Sequence, residues 1–135
     1  MSAHVHHVRI YYEDTDLSGV VYHANYLKYF ERAREHLLGS AELVRLYDED
    51  GIGFVVYKIA MTFRDGARLG DELEIRTTVR AGSEYRAIFD QSAWRPGASR
   101  PLVEATLDLV CVDPQNKLVP LPETVRARIA AAAPE

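Results

Sequence analysis

Apolar and polar side chains alternate at the start of the chain. Val8, Ile10 and Tyr12 interleave with His7, Arg9 and Tyr11, which predicts a half-buried strand from His6 to Glu13. Turn-forming residues from Asp14 to Gly19 interrupt it. The period then changes. Tyr22, Tyr26, Tyr29, Phe30, Ala33 and Leu37 recur at helical spacing, with Lys28, Glu31, Arg32 and Glu35 on the other face. The spacing predicts a helix that starts near His23 to Asn25 and ends at Gly39, roughly 25 Å long at ~1.5 Å per residue. A shorter helical piece follows from Ala41 to Asp48. Beyond Gly51 the pattern is that of strands: Phe54 to Phe63, Glu72 to Arg80, Tyr85 to Trp94 and Val103 to Val112. Between them lie the turn signals Asp65-Gly66, Leu69-Gly70-Asp71, Ala81-Gly82-Ser83 and Arg95-Pro96-Gly97. A short helix from Pro122 to Ala131 closes the pattern.

Connections this short favour antiparallel neighbours, because parallel pairs need long crossovers. The expected fold is α+β, with one central helix packed against a strongly curved antiparallel sheet. The whole of residues 1–135 reads as a single domain, with no internal repeat and no low-complexity linker. One helix cannot cover both faces of such a sheet, so a partner subunit is implied.

Composition narrows the function. Hydrophobic residues make up 47% and charged residues 27%, as in a globular chain. The formal net charge of -4 argues against nucleic acid as the main partner. No apolar run approaches the roughly 20 residues of a membrane span. Met1 to His7 lacks the apolar core of a signal peptide. The one cysteine, Cys111, lies in the run Leu109-Val110-Cys111-Val112 and reads as a buried thiol. A cytoplasmic location is the expectation. His4, His6 and His7 are a candidate metal set, but no Cys or acidic residue follows at ligand spacing, and they read instead as the polar start of the first strand.

The informative segment runs from Tyr11 to Tyr26. Glu13, Asp14 and Asp16 cluster after a strand, Gly19 follows, and His23 stands at a helix start. Acidic loops are commonly solvated turns or helix caps. Here the cluster precedes the N-terminus of the main helix, where unsatisfied N–H groups carry a positive partial charge. Such a place suits a carbonyl oxygen that becomes negative during reaction. A carboxylate beside it can attack the carbonyl or activate water. Asp14-Thr15-Asp16 superficially matches the paired aspartates of a Mg²⁺-dependent phosphotransferase, but a strand-rich chain lacks the parallel sheet and further ligands of that chemistry. Ser18, His23 and Asp16 could form a triad, yet no G-x-S-x-G elbow is present. Neither a P-loop nor a dinucleotide glycine fingerprint occurs.

The run from Tyr12 through Arg34, YEDTDLSGVVYHANYLKYFERAR, resembles the YbgC group of acyl-CoA thioesterases, within the 4-hydroxybenzoyl-CoA thioesterase-like hotdog family. The order of the later strands agrees along essentially the whole chain. The resemblance implies a hotdog fold, a sheet continuous across paired subunits, and active sites at the subunit interface. It implies hydrolysis of an acyl-CoA thioester by a homodimer or homotetramer without metal or cofactor. The family's acidic catalytic residue falls on Asp16, as general base or nucleophile. Its active-site tyrosine and histidine fall on Tyr12 and His23, and the backbone N–H near His23 falls where the family polarises the carbonyl. Aromatic-CoA members carry a basic run between the third and fourth strands, where this chain reads Arg80-Ala81-Gly82-Ser83-Glu84-Tyr85-Arg86. Arg64, Arg68, Arg80 and Arg86, at or near strand ends, are the candidates for CoA phosphates. An acyl carrier protein is the alternative bearer of the acyl group. A non-catalytic acyl-CoA binder and a hotdog dehydratase are the remaining alternatives.

Overall fold

Alternation of buried and half-exposed residues, broken where Asp108 is also buried, builds the centre of the molecule. In β3 (Glu72–Ala81), β4 (Arg86–Trp94) and β5 (Val103–Val112), every second side chain faces one apolar core. A computed structural model describes residues 3–132 of the chain; residues 1–2 and 133–135, which the reading of one domain and of the signal-peptide region includes, lie outside the described residues. Before these strands come β1 (His4–Arg9), α1 (Asn25–Leu38), α2 (Ser40–Asp50) and β2 (Gly53–Phe63), and after them β6 (Leu118–Val119) and α3 (Glu123–Ala132).

The sheet order is β1-β3-β4-β5-β2, with β6 added to β5 and every pair antiparallel. The first helix follows its sequence pattern. Tyr26, Tyr29, Phe30, Ala33 and Leu37 are buried in one cluster with Leu73, Ile75, Val79, Phe89 and Leu107 of the sheet. Left-handed glycines frame the second helix, with φ of 93° at Gly39 and 68° at Gly51. Cys111 is fully buried, and burial pushes its thiol up to about 12.

The first strand is shorter than its alternation predicts. It ends at Arg9, opposite Glu72 at the start of β3. The Ile10 N–H still donates to Asp71 O at 2.9 Å. The Tyr11 N–H then donates to the Asp14 carboxylate at 2.7 Å, and residues Tyr12–Asp14 coil into a 3₁₀ turn. Alternation therefore stops at Ile10, and Tyr12 stands 82% exposed where the pattern puts it inward. The small strand β6 escapes the pattern because it is only two residues long, paired to Cys111 and Val112.

β2 is an edge strand with a bulge between Val56 and Lys58. Val55, Val56, Tyr57, Ile59 and Phe63 along it are exposed. Among the described residues, no helix is long and apolar enough to cross a membrane.

Candidate active site

The loop after β1 is a tight reversal. The Asp16 N–H donates to Val20 O at 2.8 Å, the Gly19 N–H donates to Asp16 O at 3.0 Å, and Thr15 bridges Val21. Gly19 has φ of 81°, a backbone state that costs glycine least. Asp16 accepts the Ser18 N–H on Oδ1 at 2.9 Å. Among the described residues no donor reaches its Oδ2. Asp14 plays a different part. Its carboxylate holds the Tyr11 N–H, and its carbonyl accepts the Tyr22 N–H at 2.9 Å and Asn25 Nδ2 at 2.9 Å. Asp14 is a structural knot between the turn and the helix start.

α1 begins without a side-chain cap at Ala24. Asn25, Tyr26 and Leu27 donate their N–H groups back to Tyr22, His23 and Ala24 at 2.8, 3.4 and 3.2 Å. The N–H groups of His23 and Ala24 meet no acceptor among the described residues. Those are the orphan donors expected at a helix N-terminus. The exposed His23 ring lies 4.5 Å from the Tyr22 ring and edge-on to Phe63 at 6.2 Å, both between centroids.

Asp16 and His23 line one cavity of about 330 Å³, with Tyr26, Phe63, Arg64, Asp65 and Gly66 among its other walls. Tyr26 accepts the Ala67 N–H at 3.3 Å, and burial raises the pKa of its hydroxyl. A larger cavity of about 570 Å³ lies on the outer sheet face beside Arg76, Asp90, Trp94 and Glu104. It lacks a helix start beside its carboxylates, so size and chemistry disagree; the smaller cavity is the one fitted to polarise a carbonyl.

The residues expected from the sequence are only partly gathered here. Asp16, His23 and Arg64 share the cavity. Tyr12 lies outside its walls, and its carbonyl accepts the Thr15 hydroxyl at 2.8 Å. Arg64 reaches Glu104 through Nε at 2.9 Å and through Nη2 at 2.8 Å. Arg68 is exposed in the β2–β3 connection and gives its backbone N–H to Asp71 at 2.8 Å. Arg80 pairs with Asp90, and Arg86 donates to the Tyr57 hydroxyl at 3.0 Å and lies 3.8 Å from Asp108. These last two stand at the far end of β3 and β4, roughly 26 Å along the sheet from Glu72 at ~3.3 Å per residue. Within one chain they do not join the cavity.

Tyr26, Phe63, Asp65 and Gly66 are walls that pattern reading assigns to a core, a strand end and a turn. Only the folded chain brings Tyr26 to Ala67, 41 positions apart. Among the described residues no group of three or more His, Cys, Asp or Glu side chains is placed to hold a metal ion. His6 instead stacks on His36 of α1 at 4.4 Å.

A family profile described as the thioesterase-like superfamily matches residues 10–129. The chain belongs to this superfamily. This thioesterase is 39% identical over 123 residues to a protein named acyl-CoA thioesterase YbgC from Haemophilus influenzae, covering 89% of each chain. It is 38% identical over 122 residues to the acyl-CoA thioester hydrolase YbgC of Escherichia coli, covering 89% of this chain and 90% of that one. Among solved structures it is similar to a 1,4-dihydroxy-2-naphthoyl-CoA thioesterase from Synechocystis, with a TM-score of 0.87 and 25% identity over 95% of this chain and 96% of that one. The α+β arrangement is therefore the hotdog fold, the resemblance to the YbgC group holds, and the thioesterase is a thioester hydrolase.

Proposed function

We propose that this thioesterase hydrolyses the thioester of an acyl-CoA, with Asp16 as its catalytic carboxylate. One observation carries the reading: Asp16, whose Oδ2 meets no donor among the described residues, shares a cavity with the uncapped start of α1. The orphan N–H groups of His23 and Ala24 are the donors for the carbonyl oxygen. They stabilise the negative charge that grows as the carbon becomes tetrahedral. Asp16 either takes a proton from an attacking water or attacks the carbon itself to form an anhydride that water then opens. In both courses the C–S bond breaks, the carboxylic acid leaves, and the CoA sulfur departs as thiolate or thiol. The His23 imidazole orients water or the leaving group. The names of the curated relatives support CoA as the thiol.

The working unit is a homo-oligomer. β2 offers an unpaired edge and exposed apolar side chains, which a second copy would cover by continuing the sheet. Tyr12, exposed in one chain, then belongs to the surface that closes over the cavity. Arg64 and Arg68 near the cavity, with Arg80 and Arg86 from a neighbouring copy, are the candidate phosphate contacts. The active protein is proposed to work in the cytoplasm.

Thiol release from a panel of acyl-CoA thioesters, with acylated acyl carrier protein beside it, tests the reading. Turnover of one or more CoA thioesters is expected. Turnover of the carrier protein alone would move the substrate to a protein-borne acyl group, and turnover of neither would remove the proposal.

A further inference from the structure

We infer that Arg95, which does not line the cavity, is a positioning residue that holds the Asp16 loop and the start of α1 in their working places. The inference rests on the catalytic reading of Asp16. Arg95 follows directly on β4, and its guanidinium reaches across to the β2–β3 connection. Nη2 donates to Gly66 O at 2.8 Å. Nε and Nη2 both donate to Asp71 Oδ2, at 3.2 and 3.1 Å. Nη1 lies 3.6 Å from the Asp65 carboxylate. One side chain thus grips the connection at three residues, two of which, Asp65 and Gly66, are walls of the cavity.

The other side of the same connection is the template for the site. The Val21 N–H donates to Ala67 O at 2.9 Å, and the Ala67 N–H donates to the Tyr26 hydroxyl at 3.3 Å. These bonds hold the end of the Asp16 loop and the first turn of α1. Gly66 lies so close to the loop that a Cβ there would sit 2.7 Å from Val20 Cγ1 and 2.9 Å from Val20 Cβ. Val20 O in turn accepts the Asp16 N–H at 2.8 Å. The path from Arg95 to Asp16 therefore runs through a backbone carbonyl, a glycine contact and two short hydrogen bonds. A planar fork with five donors suits several acceptors at once, whereas a lysine ammonium offers a single point of charge.

The test measures steady-state hydrolysis by Arg95→Ala, Arg95→Lys, Asp71→Asn and Asp16→Asn. Small displacements of reacting groups are costly in rate, so Arg95→Ala should lower kcat by about tenfold or more. KM should stay within about twofold, because no substrate contact is removed. Arg95→Lys should recover only part of the loss, and Asp71→Asn should lose less in the same direction. Millimolar guanidinium should restore activity to Arg95→Ala but not to the double variant with Asp16→Asn. Wild-type kcat in both Arg95→Ala and Asp71→Asn overturns the inference, as does a loss in Arg95→Ala that guanidinium leaves unchanged. If Arg95→Ala does not fold, Asp71→Asn decides, and a rise in KM with unchanged kcat there also overturns it. Asp16→Asn at wild-type kcat would instead overturn the catalytic reading beneath it.

Discussion

At the scale of single residues, the two aspartates of the loop separate by what holds them. Asp14 has its carboxylate on the Tyr11 N–H and its carbonyl on Tyr22 and Asn25, so its surroundings are structural. Asp16 accepts the Ser18 N–H on one oxygen, and the other meets no donor among the described residues. Asp16→Asn preserves size but removes the basic, nucleophilic oxygen. It should lower kcat by about 10²–10⁴-fold, the usual cost of losing a general base, with folding and KM largely kept. Asp14→Asn still presents an amide oxygen to Tyr11 and should be far milder. His23→Ala should fall between them, because the backbone N–H survives while the imidazole is lost. Kinetics of the purified variants check the ranking; an Asp14→Asn loss larger than that of Asp16→Asn would exchange their roles. Arg64→Ala should raise KM with little change in kcat if it meets CoA phosphate, since it removes binding common to ground and transition states. An unchanged KM for CoA thioesters would leave Arg64 as the partner of Glu104 alone.

At the scale of elements, the docking of β1 on α1 should depend on pH. His6 of β1 stacks on His36 of α1. Burial first, and then the charge of His36, depress both His4 and His6 below the usual 6.5; for His6 the neighbouring His4, His7 and Arg32 add to this. A histidine that is harder to protonate when folded binds more protons when unfolded. Its contribution is then fully present above 6.5 and is lost as pH falls through 6.5 towards the depressed folded values. The melting temperature should fall between about pH 7.5 and about pH 5. His6→Gln should flatten that dependence, and calorimetry across the range measures it. An equal slope in the variant would place the proton uptake elsewhere. Since β1 leads directly into the Asp16 loop, acid loosening of this strand should also reduce activity.

At the scale of the whole molecule, the open edge of β2 is the feature on which the proposed assembly rests. An exposed row of apolar side chains on an edge strand is an aggregation hazard unless something covers it. Light scattering at micromolar concentration should show a dimer or tetramer and no dominant monomer. Val55→Lys combined with Ile59→Lys should shift the population towards monomer and reduce activity with it. A stable monomer with full activity would remove the shared-site arrangement.

What the sequence determined by itself was local. Helical spacing marked α1, because a helix buries residues by its own period, and long runs bounded by turn residues marked β2 to β5. The density of Glu13, Asp14 and Asp16 before His23 marked the candidate loop, because neighbours in the chain stay neighbours in space. Tertiary structure decided everything that depends on distant partners. It ended β1 at Arg9, where its ladder with β3 runs out, and so turned Tyr12 outward. It brought Phe63, Asp65 and Gly66 to Asp16, and set Arg80 and Arg86 at the opposite end of the sheet. It also bound Arg95 to Gly66 and Asp71. Periodicity records which face of an element is apolar, but it carries no information on which remote loop that face or its ends will meet.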